Sequence, residues 1–334
     1  MKKVTLSDIA QRTGYSINTV SHALKDKSDI SDKTKKLIRD VAKEIGYIGN
    51  SSASFLRSGK SKSVAVIVSD ISNPHFSIMI KEIEGHLRKS GYSAIVLNTD
   101  EDEKTEYEAI VSALEKNVDG VIICPVQKSE KNIEFLEKTE VPFVLLGRRF
   151  VDKKWDYVVC DDENGGFVAA KGLLGMGHKK ILYLSGPEHI SSSRERLAGI
   201  KRAFSQSKYK DVRLYELTVP AVFLGDEGAM VEMLSRYDDC SAIIAFSDMV
   251  ALEVCHALKL MKRRVPEDVS VVGFDNIVSK FYLPLMLSSV SSSKTNMSGS
   301  VVDILMKKID GDDDKHYSVV LPTKLILRET TAKL

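Results

Sequence analysis

The chain has 334 residues and a formal net charge of +2, with 43% hydrophobic and 28% charged residues. This composition is ordinary for a globular protein, and the length suits one small domain and two larger ones of roughly 130 residues each. No apolar run approaches the ~20 residues that a membrane helix needs, and the first residues lack the apolar region of a signal peptide. We therefore expect a cytoplasmic protein without a membrane partner.

The four cysteines are Cys124, Cys160, Cys240 and Cys255. They show neither a CxxC motif nor the spacing of metal ligands. Cys124 and Cys240 lie in or beside apolar runs, where a free cysteine behaves as a small hydrophobic residue. We expect reduced, structural cysteines, no metal site and no cofactor.

Residues 5–24 have the pattern of two short helices joined by a turn. Thr5 is a candidate N-cap with an acid, Asp8, three residues later, and Ser16 is a second candidate N-cap. Gly14 lies between the two helices, where a tight turn favours glycine. Such a pair is typical of a helix-turn-helix, in which the second helix contacts base edges near its start.

The second helix has one apolar face, predicted to hold Val20, Ala23 and Leu24. Its other face is polar near the N-terminus and points outward. A third helix, from Ser31 to Gly46, is predicted to fix the first two with Leu37, Ile38, Val41, Ala42 and Ile45. The alternative interpretation is a small helical hairpin whose polar face is merely solvated.

Charge separates these interpretations. Residues 1–62 contain 13 Lys or Arg and 6 Asp or Glu, whereas the remainder contains 35 and 40. The head therefore carries +7 and the rest −5. A basic head on an acidic body is what neutralisation of DNA phosphates by one end of the protein requires.

The segments TLSDIAQRTGYSINTVSHAL and ISDKTKKLIRDVAKEIGY resemble the DNA-binding head of the LacI/GalR family of bacterial transcription regulators. The similarity continues through NSSASFLRSGKSKSVAVIVSDISNPHF to VVLPTKLILRETTA, which is essentially the full chain. It implies a homodimer that binds double-stranded, palindromic operator DNA and is most often a repressor of carbohydrate-utilisation genes.

Predicted DNA contacts in the head are Thr5, Ser16, Ile17, Asn18, Thr19, Ser21 and His22. The family usually has Arg at the position of His22, so we expect weaker selection of guanine there. In the family, the Ser-rich segment that follows is a hinge helix that forms on operator DNA. Its predicted contacts are Asn50, Ala53 and Leu56, and Gly49 and Ser54 depart from the family pattern.

From Val64 the pattern changes to short β-branched runs, such as VAVIVS and SAIVLN, alternating with amphipathic helices. Continuous apolar strands with intervening helices predict parallel sheets covered on both faces. We expect an α/β core of two lobes resembling the periplasmic sugar-binding proteins, with a polar crossing near residues 149–162.

The predicted division is a helix-turn-helix domain at about 1–49, a hinge at about 50–62 and a core at about 63–334. One lobe takes about 63–160 with 291–321, and the other about 161–290 with 322–334. Since the chain shows no heptad-bearing tail after its last strand, we expect a dimer rather than a zipper-linked tetramer.

Ligands of open α/β sheets bind beyond the carboxyl ends of the strands, which places the effector in the cleft between the lobes. An Arg opposite an Asp can bind hydroxyl or phosphate groups, and an aromatic ring can stack on a sugar. The resemblance and these loops predict effector contacts by His75, Phe76, Arg148, Ser192, Arg196, Phe223, Ser247 and Asp275. Gly147 departs from the Asp common in the family before the arginine.

The predicted effector is a sugar or a sugar phosphate, with a purine or another metabolite acting as corepressor as the alternative. An enzyme is a distant alternative, because the chain lacks G-x-S-x-G, P-loop, HExxH and strand-linked G-x-G-x-x-G motifs. An exported sugar-binding module is opposed by the basic head and by the missing signal peptide. Whether the effector releases DNA or promotes its binding stays open.

Overall fold

The computed structural model describes residues 4–48, 59–220, 227–279, 285–312 and 315–334. The chain divides into two compact units, Met1–Ser61 and Lys62–Leu334. The predicted contact residues Asn50, Ala53, Leu56 and Phe223 lie outside the described residues, as do Gly49 and Ser54.

In its described residues the head contains three helices, α1 (Leu6–Thr13), α2 (Ile17–Leu24) and α3 (Asp32–Glu44). The backbone N–H of Thr5 donates to the Asp8 carboxylate at 2.7 Å. Ser16 caps α2 by accepting the N–H of Thr19 at 3.1 Å. Gly14 ends α1 at φ +74°, a left-handed conformation that favours glycine.

A small apolar core joins the three helices. Its fully packed members are Ile9, Val20, Ala23, Ile38 and Ala42. Leu37 is the exception to the predicted core, because it is 46% exposed on the outer face of α3. Each helix therefore buries one narrow stripe, as expected of short helices in a three-helix unit.

The first lobe is built on a six-stranded sheet. Its strands are β1 (Ser63–Val68), β2 (Ser93–Asn98), β3 (Gly120–Ile123), β4 (Phe143–Leu146), β5 (Tyr157–Cys160) and β11 (Ser318–Leu321). They lie in the order β11-β5-β4-β3-β1-β2, and every pair is parallel. The covering helices are α4 (Pro74–Lys89), α5 (Glu103–Glu115), α6 (Lys131–Glu137) and α11 (Lys294–Ile309).

The second lobe repeats the arrangement. Its strands are β6 (Lys180–Ser185), β7 (Arg213–Thr218), β8 (Ala242–Ala245), β9 (Ser270–Phe274), β10 (Ser288–Ser291) and β12 (Lys324–Ile326). They lie in the order β12-β10-β9-β8-β6-β7, and only β12 is antiparallel to its neighbour. The covering helices are α7 (Asp162–Gly175), α8 (Ser191–Ser205), α9 (Glu227–Ser235) and α10 (Asp248–Leu260).

The predicted α/β fold with parallel sheets is confirmed. Central strands such as β1 are almost entirely buried, whereas the edge strand β2 has no fully buried residue. This contrast explains why the central strands are continuous apolar runs. Among the described helices, none combines the length and apolarity that crossing a bilayer requires.

The polar crossing predicted near residues 149–162 is partly wrong, because β5 lies within it. The chain passes from the first sheet to the second after β5, returns after β10, and crosses again after β11. Cys124, Cys160 and Cys240 are buried free thiols, and burial raises the pKa of Cys160 to about 12.

Candidate functional site: an interlobe cleft and an exposed helix face

A cleft lies within the two-lobed unit, at the carboxyl ends of its parallel strands. Its lining comes from the segments that follow strands in both sheets, which is where open α/β sheets bind ligands. The lining includes seven predicted effector-contacting residues: His75, Phe76, Arg148, Ser192, Arg196, Ser247 and Asp275. Side chains from five separate segments of the chain therefore meet in one cavity.

Arg196 is held in the cleft wall by an acid that the sequence analysis did not identify. Its Nε donates to Oδ1 of Asp162 at 2.8 Å, and its Nη1 donates to the carbonyl of Phe246. The guanidinium also lies 3.5 Å from the ring centre of Phe274, a cation–π contact. Burial raises the pKa of Asp162 to about 6, although Arg196 opposes that rise.

Two glycines bring Arg196 and Asp162 together by letting α7 and α8 approach closely. A Cβ on Gly166 would lie 2.0 Å from the backbone oxygen of Arg196, and one on Gly199 would lie 1.8 Å from that of Glu163. Neither site has room for a side chain. The position of Arg196 in the wall therefore depends on contact between two helix backbones.

Arg148 is fixed on the first lobe's side of the cleft. Its two terminal nitrogens donate to the carboxylate of Glu101 at 2.8 and 2.5 Å, a bidentate pair. Nη1 also donates to the carbonyl of Pro125 at 2.8 Å. The positive charge of Arg148 is therefore already balanced by Glu101. Arg148 pairs within its own lobe and does not bridge the lobes.

His75 and Asp275 face each other across the cleft, one from each lobe. His75 Nδ1 lies 3.3 Å from Asp275 Oδ1, but it is buried without an aligned hydrogen bond among the described residues. Asp275 itself has φ +102°, an uncommon conformation for a residue with a side chain. Its backbone carbonyl accepts a hydrogen bond from the ammonium group of Lys294, the first residue of α11.

The imidazole of His75 should stay neutral to low pH. Burial is the largest cause that lowers its pKa to about 4, while Asp275 acts in the opposite direction. Because the folded pKa lies below the ordinary 6.5, the neutral ring favours folding fully above pH 6.5, and this contribution is lost as pH falls towards 4.

We therefore expect the free energy of unfolding to fall between pH 6.5 and 4 by at most roughly 3 kcal/mol on account of His75. Urea unfolding at several pH values should show a shallower slope in His75→Gln. An NMR titration of the His75 ring should give a midpoint near 4, and a lower one in Asp275→Asn. A midpoint near 6.5 would show that the ring is solvated.

Further contacts join the lobes beside the cleft. Arg149 Nε donates to Glu195 at 3.0 Å, and the N–H of Ser191 donates to Gln127 Oε1 at 2.9 Å. The N–H of Arg149 donates to Ser191 Oγ at 3.2 Å. These bonds hold the lobes in one relative arrangement, which a ligand between them can favour or oppose.

Ser247 and Ser192 lie at the starts of two helices that line the cleft. Ser247 Oγ accepts the N–H of Val250 at 3.3 Å and so caps α10. Ser192 is buried in the first turn of α8, close to where that helix enters the cleft. The neighbouring Asp248 is fully buried, accepts bonds from Ser289 and Ile277, and has its pKa raised to about 7 by burial.

Four partners in this site were not predicted from the sequence: Glu101, Gln127, Asp162 and Lys294. Glu101 follows β2, so the rule of strand ends could have found it. Asp162 follows β5, the strand hidden in the polar crossing, and Lys294 begins α11, which was not predicted. Asp162 was missed because the strand before it was not predicted, and Lys294 because α11 was not predicted.

In the head, six of the predicted contact residues lie on α2 or at its N-cap, and the seventh, Thr5, is the N-cap of α1. Ile17 is 52% exposed, and Thr5, Ser16 and Asn18 are exposed as well. Thr19, Ser21 and His22 are partly exposed. His22 is not free, because its Nδ1 pairs with Asp29 at 2.6 Å.

Comparison with known proteins agrees with this architecture. Residues 5–50 match the family described as bacterial regulatory proteins, lacI family. Residues 61–329 match the family described as periplasmic binding proteins and sugar binding domain of LacI family.

The chain is similar to a ribose operon repressor of Halalkalibacterium halodurans, at 29% identity over 98% of this chain and 97% of that protein. It is also 28% identical to the HTH-type transcriptional repressor PurR of Vibrio vulnificus, with 99% of each chain covered. A lac repressor dimer, solved bound to operator and the anti-inducer ONPF, superposes with a TM-score of 0.84 at 25% identity, covering 99% of this chain and 100% of that chain. With matches over both the head and the two-lobed core, the chain belongs to the lacI family of bacterial DNA-binding transcription regulators.

Proposed function

We propose that the protein is a homodimeric repressor of carbohydrate-utilisation genes that binds a palindromic operator through α2 and a small neutral sugar in the interlobe cleft. The observation that carries the effector proposal is that both cleft arginines are already paired with carboxylates. The function is regulatory rather than catalytic, and its site of action on chromosomal DNA makes it cytoplasmic. The proposed division is the head, a hinge at about residues 50–62 and the two-lobed core.

Charge balance favours a neutral ligand. Arg148 is neutralised by Glu101 and Arg196 by Asp162, and the negative charge of Asp275 is offset by Lys294, which bonds to the Asp275 carbonyl. A phosphate carries up to two negative charges and needs cations that are free to receive it. The cleft offers polar groups in fixed positions instead, which suits the hydroxyl groups of a sugar.

The paired arginines are suited to hydroxyl recognition. Arg196 uses Nε and Nη1 for its own partners, which leaves Nη2 for a ligand. Phe76 and Phe246 line the same cavity and supply apolar surface for a sugar ring. The ribose operon repressor among the relatives supports a sugar, and a purine is the alternative ligand class, so both classes belong in the test.

A screen of the full-length protein by thermal unfolding tests the effector class. We expect a neutral pentose or hexose to raise the midpoint of unfolding, because a ligand that binds only the folded state stabilises it by mass action. Sugar phosphates and purine bases serve as the comparison sets. Stabilisation by a purine or a phosphate ester alone would contradict the neutral-sugar proposal.

Asn18 tests the proposed DNA face. It lies exposed in the first turn of α2, and an Asn amide can bond both N6 and N7 of adenine. Asn18→Ala should weaken binding to a selected operator by about 1–3 kcal/mol and leave binding to scrambled DNA nearly unchanged. Gln11→Ala, which removes an exposed amide from α1, is the matched control and should retain operator affinity.

Fluorescence anisotropy with both duplexes at one fixed salt concentration measures the difference. Equal affinities of Asn18→Ala and the wild type for both duplexes would show that this face does not contact bases.

A further inference from the structure

His22 is held by an acid from the loop between α2 and α3. Its Nδ1 lies 2.6 Å from Oδ2 of Asp29, whose side chain is about half exposed. The bond to His22 is the largest cause that holds the pKa of Asp29 below its usual value. Asp29 is therefore an ionised acceptor, and the proton in this bond lies on Nδ1.

This bond decides which part of the ring DNA can meet. An imidazole has two nitrogens, and a free ring can turn either of them outward. With Nδ1 committed to Asp29, Nε2 becomes the nitrogen available to a base edge. His22 follows Asn18 by four residues on α2, so the two side chains lie on adjacent turns of one helix face.

The negative charge of Asp29 is also unfavourable for DNA binding. The head carries +7, and an acid beside its contact helix adds repulsion from the phosphates. Lys27 lies near enough to offset part of this charge. An acid at such a place is therefore explained best by what it does to its partner.

We propose that Asp29 is a positioning residue for base recognition, which fixes the imidazole of His22 so that Nε2 is presented to a base edge next to the one that Asn18 contacts. This inference rests on the proposed placement of α2 in the major groove. Asp29 makes no contact with the base itself. Its contribution is to convert a short, rotating side chain into one with a fixed direction.

The test uses the full-length protein and a duplex selected from a library of random palindromes. Each base pair of the selected half-site is then changed symmetrically, and binding is measured for every variant. The base pair assigned to His22 is the one whose preference is lost in His22→Ala. At this pair the wild type should prefer the selected base about tenfold over the others. In Asp29→Ala this discrimination should fall to about threefold or less, while binding to scrambled DNA rises slightly as a negative charge is lost.

Three controls separate positioning from charge and from folding. Asp32→Ala removes the same charge from the first turn of α3, where the side chain is fully exposed, and should keep the discrimination. Asp29→Asn retains an oxygen that can accept the bond from His22, and it should keep most of the base discrimination. In a His22→Ala background, Asp29→Ala should change discrimination no further, since its effect acts through that ring.

The inference is overturned if Asp29→Ala keeps wild-type discrimination at every pair, or weakens all duplexes equally. Failure of the underlying placement is distinguishable from this, because Asn18→Ala would then also leave every base preference unchanged. An altered preference in Asn18→Ala, with none in Asp29→Ala, contradicts the positioning role alone.

Discussion

Replacing Arg196 by Met should abolish the response of DNA binding to the effector and should destabilise the core by about 3–5 kcal/mol at pH 8. The two effects have separate causes. The response is lost because Arg196 lines the cleft, where we propose that its guanidinium contacts the effector. The stability is lost because Asp162, which is 2% exposed, keeps a buried charge without its partner.

The destabilisation should depend on pH in a defined direction. Asp162 already has its pKa raised to about 6 by burial, and Arg196 is what holds it down. Without Arg196 the carboxyl takes up a proton at higher pH and then needs no countercharge. The cost of Arg196→Met should therefore be smaller at pH 5 than at pH 8, as measured by urea unfolding.

A second variant separates stability from binding. Asp162→Asn combined with Arg196→Met removes both charges and should recover most of the stability, since an absent buried pair costs less than a broken one. It should still fail to respond to the effector, and it should still bind operator. A double variant that responds like the wild type would remove Arg196 from the binding site.

Gly199→Ala should cost about 3 kcal/mol of folding free energy, although alanine ordinarily favours a helix by about 1 kcal/mol over glycine. The added Cβ would lie 1.8 Å from the backbone oxygen of Glu163, so α7 and α8 must move apart. That movement also shifts Arg196 relative to Asp162, and effector affinity should fall with stability.

Gly85→Ala is the matched control. Gly85 lies inside α4, and among the described residues a Cβ there would meet no heavy atom within 4 Å outside the backbone of its own helix. This substitution should raise stability slightly through helix propensity alone. Equal effects of the two substitutions on urea unfolding would show that α7 and α8 can separate without cost.

The elements with strong local patterns were predictable from the sequence. Central strands such as β1 are buried on both faces and therefore appear as continuous apolar runs. Capping residues such as Ser16 mark helix starts because their hydroxyls accept a backbone N–H. By contrast, β5 lies between Asp156 and Asp161 in a polar stretch, so its short apolar run does not stand out in the sequence.

The gathering of His75, Arg196 and Asp275 in one cleft was predictable because each follows a strand whose carboxyl end faces the ligand. Their partners were not predictable in the same way. The pair of Arg196 with Asp162 depends on the backbone contact at Gly199, and that contact is a property of helix packing rather than of local sequence. Leu37 likewise fits the helical period but lies just beyond the buried stripe of α3.

The most direct test of the account is a titration of the selected operator with the full-length protein, with and without the neutral sugar that stabilises it. We expect the sugar to change operator affinity at least about tenfold, and operator to change sugar affinity by the same factor, because coupling between two sites is reciprocal. The doubly substituted Asp162→Asn, Arg196→Met protein should bind operator with one affinity under both conditions. A sugar that binds the cleft of the wild type and leaves its operator affinity unchanged would contradict the account.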